Sequence, residues 1–220
     1  VTFDSFSIFL LLYIESISSK NIILFDSLAA CLKTDFIISE DFKNNIMRKG
    51  VPEDKIVVIY NWVDEQAVIN VPRSKNILFD RYGLDRSKFY ITYNGNIGLT
   101  QNMDMLLDVA KELELNDDIQ FVLVGNGAYL DDVKRQIQEK EITNVTLLPF
   151  QPYEEISHVF SLGDVGLIIS KPGVGANSVP SKTWSIMSAS RPVLANFDEN
   201  EIKKHKPTIV QVGENNEIID

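Results

Sequence analysis

The sequence contains little cysteine and histidine, and this scarcity excludes several kinds of site. Among 220 residues there is one cysteine, Cys31, and there are two histidines, His158 and His205. A single cysteine excludes an intramolecular disulfide and a cysteine metal cluster, and it fits a reducing compartment. The two histidines are far apart in the sequence, and neither belongs to a pair with metal-ligand spacing. The sequence therefore predicts no metal site and no hydrolytic site.

Long apolar runs and basic residues are also scarce. The one strongly apolar run, Phe6 to Ile14, is shorter than the roughly 20 residues of a spanning helix, and we interpret it as a core segment, with membrane-surface contact as the alternative. The formal net charge of -10 argues against a nucleic-acid groove. Because the chain begins with Val1 and ends at Asp220 without an evident closing element, we expect a fragment of a longer protein.

From Ser27 onward, amphipathic helical stretches alternate with short β-branched runs and turns rich in glycine, asparagine or proline. This order predicts an α/β fold with a Rossmann-like, doubly wound parallel sheet. Residues 61–71 interrupt the alternation and are interpreted as a connection between domains. We predict the end of an N-terminal Rossmann-like domain and a linker in residues 1–70, and a ligand-binding domain, truncated at its C-terminus, in residues 71–220. The predicted strands are 35–39, 55–60, 89–93, 119–124, 145–148, 165–169 and 193–195, and the predicted helices are 40–49, 76–82, 102–113, 128–140, 154–162 and 181–190.

Ligands of such sheets bind beyond the carboxyl ends of the strands, and four loops predicted there are unusual. The first is Asn94-Gly95-Asn96-Ile97-Gly98, whose glycines would let the backbone approach a phosphate. The second is Gly125-Asn126-Gly127, which lacks the third glycine of a dinucleotide fingerprint because Leu130 stands there. A close approach to a ribose or base remains open for this loop, and a tight turn is the alternative for both.

The third loop, Leu148 to Pro152, could contact the edge of a nucleobase, with simple loop packing as the alternative. The fourth runs from Ser170 through Gly173 into a helix that begins with Ser178 or Ser181 as N-cap and carries Lys182 in its first turn. The helix dipole disfavours a lysine there by roughly 0.3 to 1 kcal/mol. A bound diphosphate would compensate, with Arg191 as a further cation, and a solvated lysine is the alternative.

The ordered set of motifs between about Asp35 and Asp198 resembles glycosyltransferase family 4, the retaining GT-B enzymes, and in particular its WbuB-like branch. The motifs that carry this likeness are Gly50-Val51-Pro52 with Lys55-Ile56, Asn61-Trp62-Val63-Asp64, Gly95-Asn96-Ile97-Gly98 with Gln101, Gly125-Asn126-Gly127, and Pro180-Ser181-Lys182-Thr183 followed by Arg191-Pro192-Val193. Two departures from the broader family match that branch. Asn96 and Gln101 stand where many members carry Arg and Lys, and Asn177 and Ser185 stand where they carry two glutamates. Lys182 is then the expected cation for the donor diphosphate.

The resemblance implies a hexosyl or N-acetylhexosaminyl transferase of bacterial capsule, O-antigen or exopolysaccharide biosynthesis. Its donor would be a nucleotide sugar, UDP-linked and with an N-acetylated amino sugar as the candidate, and its acceptor a lipid-linked saccharide. The reaction would be retaining and independent of metal and cofactor. We expect a cytoplasmic protein, with peripheral attachment to the inner face of the membrane. The expected donor-binding residues are Gly95, Asn96, Gly98, Gln101, Gly125, Asn126, Gly127, Leu148, Pro149, Gly173, Ser181 and Lys182.

Other functions remain open at this point. The acceptor-side catalytic groups of the family cannot be mapped onto this sequence, and we expect the chain alone to be inactive. It could instead be a non-catalytic sugar-nucleotide binding module, or the donor subunit of a two-chain transferase. An NAD-dependent oxidoreductase or a nucleotide-sugar epimerase is disfavoured because the dinucleotide fingerprint is absent.

Overall fold

The computed structural model describes residues 35–61, 63–64, 66–174, 180–196, 209–212 and 218–219. The chain divides into two compact units, residues 1–60 and 61–220. Among the described helices, none is long and apolar enough to cross a membrane. Several features named above lie outside the described residues: Phe6 to Ile14, Cys31, Asn177, Ser178 and His205.

The first unit contains a short parallel βαβ arrangement. Strand β1 (Asp35–Ile37) is followed by helix α1 (Glu40–Arg48), a 3-10 turn (Glu53–Lys55) and strand β2 (Ile56–Val58), which pairs with β1. The hydroxyl of Ser39 accepts a hydrogen bond of 3.1 Å from the backbone N–H of Phe42, and it therefore caps α1. The three elements predicted from the sequence are all present, with shorter bounds.

The second unit is built on a seven-stranded sheet of order β5-β4-β3-β6-β7-β8-β9, parallel except for the antiparallel β8–β9 pair. Its strands are β3 (Phe89–Asn96), β4 (Ile119–Asn126), β5 (Val145–Leu148), β6 (Val165–Ile169), β7 (Val193–Asn196), β8 (Ile209–Val212) and β9 (Ile218–Ile219). Its helices are α2 (Ile77–Tyr82), α3 (Met103–Glu112), α4 (Leu130–Glu139), α5 (Ile156–Phe160) and α6 (Lys182–Ser188). The strand order reverses between β3 and β6, which is where α/β sheets of this kind bind ligands. The predicted doubly wound sheet is confirmed, and β8 and β9 lie beyond the predicted strands.

Helices cover both faces of this sheet. On one face, α3 and α4 pack on β3 and β4 around Tyr93 and Leu123, and the apolar residues Met103, Leu106, Leu107 and Ala110 of α3 are buried there. On the other face, α2 and α5 pack around Tyr90 and Val122, and α6 packs on β6 and β7 around Ile186. Because side chains alternate along a strand, Tyr93 and Tyr90 of β3 serve opposite faces. The carboxyl end of β3 thus lies between the two helical layers.

Strands β3 and β4 run further than predicted. Their pairing continues through Gly95 opposite Gly125 and Asn96 opposite Asn126. Glycine and asparagine are typical of turns, so the sequence pattern ended both strands too early. The predicted helix 154–162 is also shorter, because it begins with a 3-10 turn (Tyr153–Glu155) before α5.

The predicted linker, residues 61–71, is part of the second unit and packs against its helices. Val68 is buried in the same cluster as Ile186. The hydroxyl of Ser188 donates a hydrogen bond of 2.6 Å to the carbonyl of Val68, and the hydroxyl of Ser157 donates one of 2.7 Å to the carbonyl of Ala67. The segment therefore helps to hold α5 and α6 in place.

The position of α6 depends on the absence of a side chain at Gly166. A Cβ atom there would lie 2.7–2.8 Å from three carbons of Ile186. We expect Gly166→Ala to lower the free energy of unfolding by about 1–3 kcal/mol through overpacking, as measured by urea denaturation. The same substitution in an Ile186→Ala background should cost much less, since the clash is gone. An equal cost in both backgrounds would show that this contact does not set the packing of α6.

Candidate functional site

The carboxyl ends of β3, β4, β5 and β6 and the first turn of α6 share one edge of the sheet. The described residues of all four predicted loops follow strands at this edge. The last residues of β3 lie at the reversal of the strand order, where sheets of this kind bind ligands.

The glycines at the end of β4 are required by the neighbouring strand. A Cβ atom on Gly125 would lie 1.9 Å from the carbonyl oxygen of Gly95, and one on Gly127 would lie 2.3 Å from that of Ile97. Both contacts are with backbone, which cannot move aside without breaking the β3–β4 pairing. The absence of side chains at these two positions therefore has a structural cause and carries no information on a ligand.

Gly95 has a different role, because it makes room for Lys182. Its backbone has φ of +128°, which side-chain-bearing residues rarely adopt. A Cβ atom on Gly95 would lie 3.3 Å from the Nζ of Lys182. The same Nζ lies 4.1 Å from the ring centroid of Tyr93, at cation–π distance. The structure thus brings Lys182 from α6 onto the end of the central strand.

The ammonium group of Lys182 is held by an aromatic ring and has no acidic partner within 4.0 Å among the described residues. Burial removes water from the charged form, and this desolvation lowers the pKa of Lys182 from its ordinary value of 10.5 to about 8. The ring of Tyr93 is fully buried, and burial raises the pKa of its hydroxyl. The site therefore contains a positive charge that the protein compensates only partly.

The backbone at the start of α6 does not form the predicted cap. Ser181 occupies the N-cap position with helical dihedral angles (φ −57°, ψ −31°), and its side chain accepts no capping hydrogen bond. The other predicted cap, Ser178, is outside the described residues. The first turn contains no acidic residue, so no side chain there offsets the unfavourable placement of Lys182.

In the structure the first glycine loop comprises Asn94 to Gln101, and it is stabilised by its own side chains. The Oε1 of Gln101 accepts a hydrogen bond of 3.0 Å from the N–H of Gly98. The hydroxyl of Tyr93 donates one of 2.6 Å to the carbonyl of Asn96. In the second loop, the Oδ1 of Asn126 accepts one of 2.8 Å from the N–H of Gly127. Asn96 and Asn126 are exposed and face one another as the last residue pair of β3 and β4.

Leu148 and Pro149 differ in their environments. Leu148 is buried in the core beside Val124, which favours the packing alternative for this residue. Pro149 and Phe150 are exposed beyond the end of β5. The Nε2 of Gln151 donates a hydrogen bond of 2.7 Å to the carbonyl of Pro149 and fixes this turn. The loop therefore presents an exposed ring and a constrained backbone at the site edge.

The loop after β6 contributes a lysine that the sequence reasoning did not single out. The backbone N–H of Lys171 donates a hydrogen bond of 2.9 Å to the carbonyl of Thr100 in the first glycine loop. Its Nζ lies 5.6 Å from the ring centroid of Tyr129, which follows the second glycine loop. Gly173, two residues on, is exposed with φ of +78°. The sequence signal was a lysine two residues after the end of a predicted strand. Its contact with Tyr129 could not be predicted without the fold.

Arg191 is not at this edge. It follows α6 and directly precedes β7, so it lies at the amino ends of the strands, and its guanidinium donates a hydrogen bond of 3.2 Å to the carbonyl of Ser161. Since α6 runs antiparallel to the strands, its two ends are on opposite edges of the sheet. The expectation that Arg191 assists Lys182 is therefore wrong. Within the described part of the chain, no three His, Cys, Asp or Glu side chains gather as a metal site.

Comparison with known proteins places this arrangement in a family. The family model described as Glycosyl transferases group 1 matches residues 74–196. The chain is similar to WcaI of Escherichia coli, a glycosyl transferase named for colanic acid biosynthesis, with 26% identity over 152 residues that make up 69% of this chain and 37% of WcaI. It is also similar to WbjE of Pseudomonas aeruginosa, which is named as a glycosyltransferase, with 28% identity over 72% of this chain and 39% of WbjE. The chain thus spans less than half of the length of these relatives.

Solved structures share the fold. The crystal structure of Anabaena HepE in complex with UDP-glucose superposes with a TM-score of 0.69 and 16% identity, over 82% of this chain and 50% of that one. A glycosyltransferase from Rickettsia africae superposes with a TM-score of 0.67 and 14% identity, over 89% of this chain and 54% of that one. These likenesses establish a GT-B-type α/β fold.

The partly buried charge of Lys182 predicts a pH-dependent cost in stability. Its folded-state pKa of about 8 is below its ordinary value of 10.5, so the unfolded chain binds more protons between these pH values and stability gains from this group as the pH rises through them. We expect Lys182→Met to raise the free energy of unfolding by about 1–3 kcal/mol at pH 7. The gain should shrink by pH 10. Urea denaturation of both proteins across this range measures it, and a variant less stable than the parent at pH 7 would refute the desolvation.

Proposed function

Because the chain belongs to the Glycosyl transferases group 1 family, we propose that its second unit, residues 61–220, binds the nucleotide-sugar donor of a transferase for bacterial surface polysaccharide. The donor is a UDP-linked sugar, with an N-acetylated amino sugar as the candidate. The HepE complexes, which contain UDP or UDP-glucose, support a UDP donor on this fold. The name of WcaI, which refers to colanic acid biosynthesis, supports the polysaccharide product.

The observation that carries this proposal is the ammonium of Lys182 at the reversal of the strand order, which an aromatic ring compensates only partly. Its contact with Tyr93 fixes its position without cancelling its charge. A diphosphate placed beyond Gly95 would supply the missing negative charge, and its oxygens would form charge-assisted hydrogen bonds with the ammonium. The exposed amides of Asn96 and Asn126 are at the same edge and are available to hydroxyl groups of the donor.

The chemical contribution of this site is electrostatic. When the bond between the sugar and the diphosphate breaks, negative charge develops on the leaving phosphate, and a fixed ammonium in a poorly solvated position stabilises it. The reaction proposed is a transfer with retention at the anomeric carbon, without metal or cofactor. The acceptor proposed is a lipid-linked saccharide, reached from the cytoplasmic face of the membrane, and the acceptor-side catalytic groups belong to other parts of the enzyme.

Calorimetric titration with UDP, GDP and NAD, with and without magnesium, tests the donor proposal. We expect UDP to bind whether or not magnesium is present, and Lys182→Met to weaken it by about tenfold, the value of one charge-assisted hydrogen bond. Affinity for UDP should also fall as the pH rises above about 8, where Lys182 of the free protein loses its proton.

The matched control is Lys134→Met. Lys134 is an exposed lysine of α4 that pairs with Asp131 at 3.0 Å, away from the strand ends, and its substitution should leave UDP binding unchanged. Binding of NAD in preference to UDP would contradict the proposed function. If Lys182→Met and Lys134→Met weakened UDP binding equally, the effect would come from the net charge of the protein and not from the position of Lys182.

A further inference from the structure

A second lysine at this edge is held in the same way as Lys182. The Nζ of Lys171 lies over the ring of Tyr129, as that of Lys182 lies over Tyr93. Both rings pack in the core cluster between the sheet and helices α3 and α4. The two lysines start from different elements, the loop after β6 and the first turn of α6. The Nζ of Lys182 lies beside Gly95 of β3, and the backbone of Lys171 is bonded to Thr100, four residues after β3.

An aromatic ring and a carboxylate hold an ammonium group with different consequences. A carboxylate partner cancels the positive charge, whereas a ring attracts the ammonium through its quadrupole and leaves the net charge available to an anion. Within the part of the chain that the structure describes, no carboxylate lies within 4.0 Å of Lys171. By contrast, Lys134 of α4 and Lys140, directly after α4, are both paired with aspartates. The lysines of the strand-end edge are therefore arranged unlike those of the helical surface.

Two acidic side chains near Tyr129 already have partners. Asp132 pairs with Arg135, and Asp104 is hydrogen-bonded to neutral groups. Asp104 accepts hydrogen bonds of 2.6 Å from Gln136 and 2.8 Å from the hydroxyl of Tyr129. These two bonds lower the pKa of Asp104, with a smaller contribution from the positive charge of Lys171, which Asp104 attracts at longer range. The bond from its hydroxyl fixes the ring of Tyr129. The backbone N–H of Tyr129 donates a further hydrogen bond of 3.0 Å to the carbonyl of Ile97. The ring beneath Lys171 is thus anchored to the first glycine loop and to α3.

The backbone of Lys171 is anchored to the same loop through Thr100. That loop carries Asn96 and Gln101, which are neutral, and Gln101 is engaged with the N–H of Gly98. A diphosphate with two or more negative charges would meet one cation, Lys182, if no other residue contributed. Lys171 adjoins both glycine loops, through the carbonyl of Thr100 in the first and through the ring of Tyr129, two residues after the second.

Building on the proposed function, we propose that Lys171 is a second diphosphate-binding residue of the donor site, held over Tyr129 as Lys182 is held over Tyr93. The two ammonium groups contact the diphosphate from the β6 loop and from α6. They supply the positive charge that the first glycine loop lacks in this chain. Tyr129 and Asp104 act as positioning residues, since they orient Lys171 and do not contact the donor.

Titration of Lys171→Met with UDP, inorganic pyrophosphate and uridine tests this assignment. We expect the affinity for UDP and for pyrophosphate to fall about tenfold, and that for uridine to stay unchanged. Lys171→Arg should retain most of the affinity, because it keeps the charge. Tyr129→Leu should weaken UDP binding by a smaller factor and should add little to Lys171→Met, because the two residues act as one unit. Lys134→Met again serves as the control.

The titrations of Lys171→Met and Lys182→Met distinguish a wrong role for Lys171 from a wrong donor site. One outcome is that the wild-type protein binds UDP with an affinity that Lys182→Met lowers and Lys171→Met leaves unchanged. In that case the role proposed for Lys171 is wrong and the proposed donor site stands. A loss for uridine equal to that for UDP would likewise overturn the assignment, because it would show a distorted site. If wild type does not bind UDP, the proposed function fails and this inference fails with it.

Discussion

The contact between the ammonium of Lys182 and the ring of Tyr93 is the constraint on which the candidate site depends. It requires a glycine at position 95, where a side chain would approach the ammonium, and it requires α6 to begin beside the end of β3. The position of α6 is set by the core, because Gly166 has no side chain and Ile186 of α6 can therefore pack closely on β6. The core of this unit therefore determines where one positive charge is placed.

This placement is unfavourable for the empty protein in two ways. A cation in the first turn of a helix opposes the helix dipole, and burial costs the ammonium part of its hydration. Neither cost is offset by a carboxylate among the described residues, and the contact with an aromatic ring returns only part of it. Local arrangements that lower stability without an evident internal benefit are expected where a protein binds something. An anionic donor is the ligand that would remove both costs.

The sequence predicted this region well where local rules decide the structure. The strands 145–148 and 165–169 have the predicted bounds, and Lys182 is in the first turn of its helix as expected. Local rules failed where contacts between strands decide. In the sequence, Gly95 and Gly125 each indicate a turn, but in the structure they are paired residues of two neighbouring strands. The sequence around Tyr93 likewise does not indicate that a lysine contacts its ring. Arg191 was misplaced because a helix separates it from the strand ends.

The most direct test is to measure the pKa of Lys182. Carbon NMR of lysines labelled at Cε gives this pKa, and the signal of Lys182 is assigned by its loss in Lys182→Met. In the free protein this signal should titrate near pH 8, well before the exposed lysines. Saturation with UDP should move the titration above pH 10, because the diphosphate stabilises the charged form. A Lys182 that titrates near 10.5 without ligand, or that keeps its pKa when UDP is bound, would contradict the central claim.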